Sequence, residues 1–266
     1  LIEFASALGY RIISAGKGKN NPLNHDAVPD DYREEATRRN MNPRMLVEFV
    51  DGSKTMVEMA CIANATGLVP DVPGMHGPKA DRDEMVKVLI PRADGGILNK
   101  KGVVDFTIGK GVAPGVFVIV EAEHPRIIER MDDLHVGKGP YYAFFRPYHL
   151  TSLEVPLTAA RIMLYGKPDM VPMANPVAEV CAVAKRDLAV GETFDAIGET
   201  CYRSFILTVE DSRRRHAVPV GLLEGGKVTA PVKKGDLLTR ANATPDQTTR
   251  LYALRQTGAN FTSSNT

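Results

Sequence analysis

Tyr10-Arg-Ile-Ile-Ser-Ala-Gly-Lys-Gly-Lys-Asn-Asn-Pro-Leu-Asn-His-Asp26 is the stretch from which the rest of the chain is read. Residues 10–13 are apolar and β-branched enough for a short buried strand. That strand is expected to empty into a loop carrying Lys17, Lys19, Asn20, Asn21, Asn24, His25 and Asp26. In an open α/β sheet, ligands sit beyond the carboxyl ends of strands, so ammonium and amide groups placed there suit an anion or a sugar phosphate. Gly16 and Gly18 would let the backbone approach a ligand or cofactor closely. A solvated Gly/Lys/Asn turn is the other reading of the same residues.

The 266 residues carry 24% charged and 44% apolar side chains with a formal charge of +1. That balance demands neither nucleic acid nor membrane as a partner. The length suits two units. The cysteines at 61, 181 and 201 are widely spaced and odd in number, which suits reduced thiols and a cytoplasmic location better than a disulfide framework. Residues 1–9 follow helical spacing up to Gly9, so the chain is expected to begin within a helix and to continue a longer polypeptide.

Further along, residues 28–40 read as an amphipathic helix and residues 44–50 as a strand, turned by Asp51-Gly52 into a helix over 53–65 with Ser53 as its N-cap. On that helix Lys54 and Glu58 stand one turn apart. They form either a structural ion pair or a site pair. Residues 67–79, dense in Gly and Pro, form a long rigid loop offering His76 and Lys79, and a short helix follows over 81–89. Segments 103–108, 116–121 and 141–145 have strand composition. Between the first two, Gly109-Lys-Gly-Val-Ala-Pro-Gly115 precedes a strand rather than a helix, so it is a turn and not a dinucleotide loop.

A second polar corner, Arg146-Pro-Tyr-His149, leads to Glu154 and a helix over 155–165; these three charged or polar groups either hold phosphate or order the helix start. The Pro-rich segment 167–176 reads as a linker. Beyond it, short segments at 177–184, 205–209, 217–223 and 232–238 between Gly-containing turns suggest a small all-β unit, with Arg213-Arg-Arg-His216 at a hairpin tip and a loose tail over 257–266.

Ala184-Lys-Arg-Asp-Leu-Ala-Val-Gly-Glu-Thr-Phe194 and Val232-Lys-Lys-Gly-Asp-Leu-Leu-Thr239 resemble the SAF domain, a β-clip module. With Ile13-Ser-Ala-Gly-Lys-Gly-Lys-Asn20, Phe49-Val-Asp-Gly-Ser-Lys-Thr55 and Tyr142-Ala-Phe-Phe-Arg-Pro-Tyr-His-Leu150, the chain resembles homoserine-dehydrogenase-like oxidoreductases that end in a SAF domain, in particular their deoxyxylulose-phosphate-reductoisomerase-like members. The resemblance implies an α+β catalytic domain, helices on a mixed sheet, over 1–170 and a SAF-like β domain over 171–256. It implies reduction with NADPH, held mostly by an N-terminal Rossmann domain outside this chain, and a divalent metal, Mg or Mn.

Further implications are a homodimer, a small phosphorylated sugar or sugar acid as substrate, and a place in isoprenoid precursor synthesis. Lys17 or Lys19 falls where the family keeps a lysine after a strand, and with Glu58 would be catalytic. Asn20, Asn21, Asn24, His25, Lys54, His76, Lys79, Arg146 and His149 would bind substrate, and Gly16 and Gly18 would lie near the cofactor. Residues 67–79 depart from the family's pattern, which turns the expectation away from homoserine. A non-redox carbohydrate-binding module and a sugar-acid dehydratase are the alternatives.

Overall fold

The computed structural model describes residues 1–263. In chain order its elements begin with α1 (Ile2–Ala7), β1 (Arg11–Lys19), α2 (Arg33–Arg38), α3 (Pro43–Val50), α4 (Ser53–Thr66), β2 (Val69–Pro70) and α5 (Met85–Val88). They continue with β3 (Val103–Ile108), β4 (Val116–Glu121), α6 (Pro125–Asp133), β5 (Tyr141–Arg146), α7 (Thr151–Tyr165), β6 (Ala178–Ala184), β7 (Tyr202–Thr208), α8 (Val209–Arg214), β8 (Lys227–Val228), β9 (Ala243–Thr244) and α9 (Arg250–Ser263). These form two compact units. One takes Leu1–Pro22 and Cys61–Pro176, the other Leu23–Ala60 and the chain from Val177 onward. The catalytic and β domains were expected to divide near residue 170; the structure groups residues 23–60 with the C-terminal part instead.

The first unit is α+β, built on a five-stranded mixed sheet of order β2-β3-β1-β4-β5. Strands β1, β2 and β3 run parallel, while β4 is antiparallel to both β1 and β5. Valine, isoleucine and phenylalanine fill β3 and β4 because both strands are covered. One face packs Ile13, Val103, Phe117 and Ile119 on Met85, Leu89 and Leu98. Ser14 can be buried among them because its hydroxyl donates to the Leu89 carbonyl at 2.9 Å. Elsewhere in the unit the Phe144 ring meets Phe4 and Tyr10 edge-on, with centroids 5.9 and 5.4 Å away.

The second unit has a β6–β7 antiparallel pair and a short β8–β9 pair, with Phe194, Tyr202, Leu223, Val232 and Leu238 in its core. Helix α3 packs Leu46, Val47 and Val50 with Ala27 and Ala36 in a separate cluster. No helix among the described residues is long and apolar enough to cross a membrane.

Several local expectations are corrected. Residues 44–50 are helical, not extended: the Asn42 side chain accepts the Arg44 N–H at 2.9 Å, Pro43 starts the helix, and the buried positions 46, 47 and 50 follow helical spacing. The first strand does not stop at residue 13 but continues through Lys19, because β3 and β4 hydrogen-bond to it on both sides. Gly16 and Gly18 are therefore strand residues. A Cβ on Gly18 would lie 2.1 Å from the Val112 carbonyl oxygen, so the missing side chain there makes room for the chain's own backbone.

Ser53 is the first residue of α4, not its cap: Asp51 Oδ1 accepts the Ser53 N–H at 2.8 Å. Arg213 and Arg214 end α8, whose Thr208 cap and acidic first turn suit a helix, where a hairpin tip was expected. Residues 217–223 and 232–238 make isolated bridges rather than strands, and with α8 and α9 present the unit is not all-β. Residues 257–263, expected to be loose, belong to α9, which an Arg255–Glu179 ion pair ties to β6; residues 264–266 of that expected tail lie outside the described residues.

Candidate active site

Because β5 is antiparallel to β4 and β4 to β1, strands β1, β2, β3 and β5 all deliver their carboxyl ends to one edge of the sheet. The register sets two rows there. Phe106, Lys17, Val116 and Arg146 are paired in succession across four strands, and Lys79, Ile108 and Lys19 across the next row. Residues paired in this way project from the same face of a sheet. At about 4.8 Å per strand, the backbones at Lys17 and Arg146 stand about 10 Å apart, the span of a small phosphorylated molecule. Lys19 is buried, 7% exposed, while Lys17 is half-buried and Lys79 is exposed.

Arg146 is not a bare cation. It forms an ion pair with Glu154 at the start of α7, and its guanidinium lies over the Tyr148 ring at 5.2 Å. His149 Nδ1 is 2.6 Å from the Pro114 carbonyl in the loop between β3 and β4. Asn20 and Asn21 follow β1 directly, Asn20 exposed.

The loop after β2 runs beside β3 where a longer β2 would have paired, and it is held by two buried aspartates. Asp105 accepts the N–H groups of His76 at 3.1 Å and Gly77 at 2.9 Å, and its own neighbour's, that of Phe106, at 2.8 Å. Burial pushes the Asp105 carboxyl above the ordinary range, against the pull of those N–H groups. Asp71 Oδ2 lies 2.6 Å from His76 Nε2 and accepts both the backbone N–H and the side-chain amide of Asn99.

In the second unit the predicted residues surround a buried ion pair. Lys185 Nζ lies 2.7 Å from Asp51 Oδ2 and donates to the carbonyls of Ala27 at 2.8 Å and Glu199 at 2.9 Å. Ser53 Oγ accepts the Ser204 N–H at 2.9 Å, and His25 Nδ1 is 3.1 Å from the Asp51 carbonyl. Partial loss of water around the ring first, then the charge of Arg203, hold the His25 imidazole below its ordinary range, although the residue as a whole is exposed. Arg203 itself is lowered by burial, with Asp51 and Asp26 opposing. Lys54 and Glu58 are 3.9 Å apart and partly exposed, with the Lys54 ammonium 4.2 Å from the centre of the Phe49 ring. Asn24 is exposed, its side-chain amide 3.4 Å from the Tyr32 hydroxyl.

The structure thus brings Lys17, Lys19, Lys79, Arg146 and His149 to one sheet edge, with His76 on the neighbouring loop. Glu58, Lys54, Asn24 and His25 belong to the other unit. A cavity of about 620 Å³ lies against β5, walled by Arg82, Lys87, Asp94, Tyr141 and Phe145 among others, and none of the predicted site residues lines it. At Gly18, expected to let a cofactor approach closely, the space a side chain would take is filled by Val112 of the chain itself. Among the described residues no three His, Cys, Asp or Glu side chains gather to hold a metal.

Sequence reasoning missed Asp71, Asp105, Asp51 and Lys185 as organising groups. Asp105 carried a signal, a lone carboxylate in the apolar run Val103-Val-Asp-Phe-Thr. Asp71 and Lys185 carried none, since their partners lie 5 and 134 positions away in sequence.

The family model described as the catalytic domain of the oxidoreductase DRL matches residues 1–155. That span runs from α1 to the first turn of α7 and includes every cation of the two rows. No curated protein matches the chain.

Proposed function

The chain belongs to the DRL oxidoreductase family through its catalytic domain, and on that premise we propose that the protein is an NADPH-dependent oxidoreductase of the 1-deoxy-D-xylulose 5-phosphate reductoisomerase type. The observation that carries this reading is the pair of cationic rows, Lys17 with Arg146 and Lys19 with Lys79, at the carboxyl edge of a family-matched oxidoreductase sheet. An edge of this kind suits a small anionic substrate.

In this reading a phosphate or carboxylate lies against Lys79 and Arg146, and Asn20 and Asn21 take substrate hydroxyls. Lys17 or Lys19 faces the carbonyl and stabilises the alkoxide as it forms; removing one such donor costs about 10²–10³ in kcat. Bound NADPH supplies the hydride. His149, fixed on Pro114, orients the Arg146 corner. Glu58, Lys54, Asn24 and His25 belong to the other unit, and this reading gives them no part in the site on the sheet edge. No step is assigned to a metal, because the described residues gather no ligand set.

A SAF-type role for residues 171–256, a cytoplasmic location, a homodimer and a place in isoprenoid precursor synthesis belong to the same proposal. The apolar side chains that α7 leaves exposed, Leu153, Leu157 and Leu164 among them, suit coverage by a second copy. NADPH oxidation by the intact protein with 1-deoxy-D-xylulose 5-phosphate, with Mg²⁺ or Mn²⁺ added, tests the reading. Turnover is expected. NADPH binding without turnover would overturn the substrate, and absence of NADPH binding would overturn the cofactor.

A further inference from the structure

The loop between β2 and α5 carries more apparatus than a connection needs. Three of the four residues in Gly74-Met-His-Gly77 have positive φ: Gly74 at 77°, Met75 at 65° and Gly77 at 54°. For a side chain as large as methionine that conformation is uncommon and costs of order 1–3 kcal/mol, so the surroundings must hold it. They do so from two sides. Asp105, fully buried on β3, takes the backbone N–H groups of His76 and Gly77 on its two oxygens. Asp71, whose side chain is 0% exposed, faces the His76 ring at 2.6 Å. Gly77 has no room for a side chain, because a Cβ there would lie 2.2 Å from the Phe106 ring.

The result is an imidazole held at its backbone and at one ring nitrogen while the other nitrogen is left over. Asp71 Oδ2 accepts from Asn99 twice as well as facing His76, so its orientation is fixed without the histidine. Asp71 Oδ1 is buried with no hydrogen-bond partner among the described residues. His76 Nδ1 makes no protein hydrogen bond among the described residues, and the side chain is 13% exposed. A carboxylate on Nε2 fixes the neutral ring with its proton on Nε2 and its lone pair on Nδ1.

We propose that Asp71 and His76 form a carboxylate–imidazole pair that moves a proton at the carboxyl edge of the sheet, with His76 the proton donor and Asp71 the positioning residue. The inference rests on the oxidoreductase reading given above. In the step, the Nδ1–H bond of the imidazolium breaks and an O–H bond forms on the substrate alkoxide. The ring is left neutral with its remaining proton on Nε2, facing Asp71. Solvent reprotonates Nδ1 through the exposed part of the ring, and the reverse reaction uses the same nitrogen as base.

Two measurements test it. Nitrogen-15 NMR of the histidine rings in this chain is expected to show neutral His76 protonated on Nε2, and Asp71→Asn to populate both tautomers. A wild-type ring protonated on Nδ1 would overturn the pair without any assay of activity. In the intact protein, His76→Gln is expected to lower kcat by about 10²–10⁴ with KM changed less than about threefold, and imidazole is expected to restore part of the rate to His76→Gly. A wild-type protein that turns over while His76→Gln keeps its kcat would overturn the proton-transfer role. Absence of wild-type turnover would overturn the substrate reading instead, and the tautomer would then decide whether the pair stands.

Discussion

Replacing Lys185 with methionine is expected to destabilise its unit by about 3–5 kcal/mol, the cost of leaving one member of a buried ion pair without the other. The geometry places the change at that level rather than at the 0–1 kcal/mol of a surface pair. Lys185 and Asp51 have side chains only 2% and 0% exposed, with Nζ and Oδ2 2.7 Å apart. The same ammonium donates to the carbonyls of Ala27 and Glu199, so methionine takes the donor from two carbonyls as well as the counter-charge from Asp51.

Water cannot readily reach Asp51 to replace the lost donor. With a urea m value of about 2 kcal/mol/M, the midpoint is expected to fall by about 2 M. The chain has no tryptophan, so far-UV circular dichroism is the suitable probe. The double variant Lys185→Met with Asp51→Leu removes the stranded charge and is expected to recover much of the loss. A single-variant change below about 1 kcal/mol, or a double variant no better than the single, would show that no charge is stranded there.

Gly18→Ala is expected to lower the thermal midpoint of the sheet unit at a cost of about 1–3 kcal/mol, since its Cβ would meet the Val112 backbone, and calorimetry on the variant checks this. His25 has its folded-state protonation depressed by partial loss of water and by Arg203, so it contributes stability above its unfolded pKa, near 6.5. That contribution is lost as pH falls through the lower folded value; thermal midpoints between pH 7.5 and 5 should fall less in His25→Asn than in the parent. Cys61 is exposed, while burial pushes the Cys181 thiol up to about 11 and raises Cys201. Thiol titration at pH 8 is therefore expected to find one fast group in the folded chain and three after unfolding.

The strands of the first unit were legible because β3, β4 and β5 announce themselves by composition over six residues each. The end of β1 was not: Gly-Lys-Gly-Lys reads as a loop until pairing on both sides and the Val112 backbone are known. Helix α3 reads as a strand because Met-Leu-Val-Glu-Phe-Val satisfies strand composition, although Asn42-Pro43 before it is a helix start. In the site, Lys17 and Lys19 stand out in the sequence, but their row with Lys79 and Arg146 depends on register across four strands, which no local pattern carries. Asp71 and Lys185 act through partners fixed only by the tertiary fold.

The role of the β1 lysines in turnover is decided by Lys17→Ala and Lys19→Ala forms of the intact protein, measured separately with 1-deoxy-D-xylulose 5-phosphate and NADPH. Both variants are expected to keep the circular dichroism of the parent, and at least one to lose about 10²-fold or more in kcat. Two folded variants that both turn over at the parent rate would contradict the assignment of the carbonyl to this sheet edge.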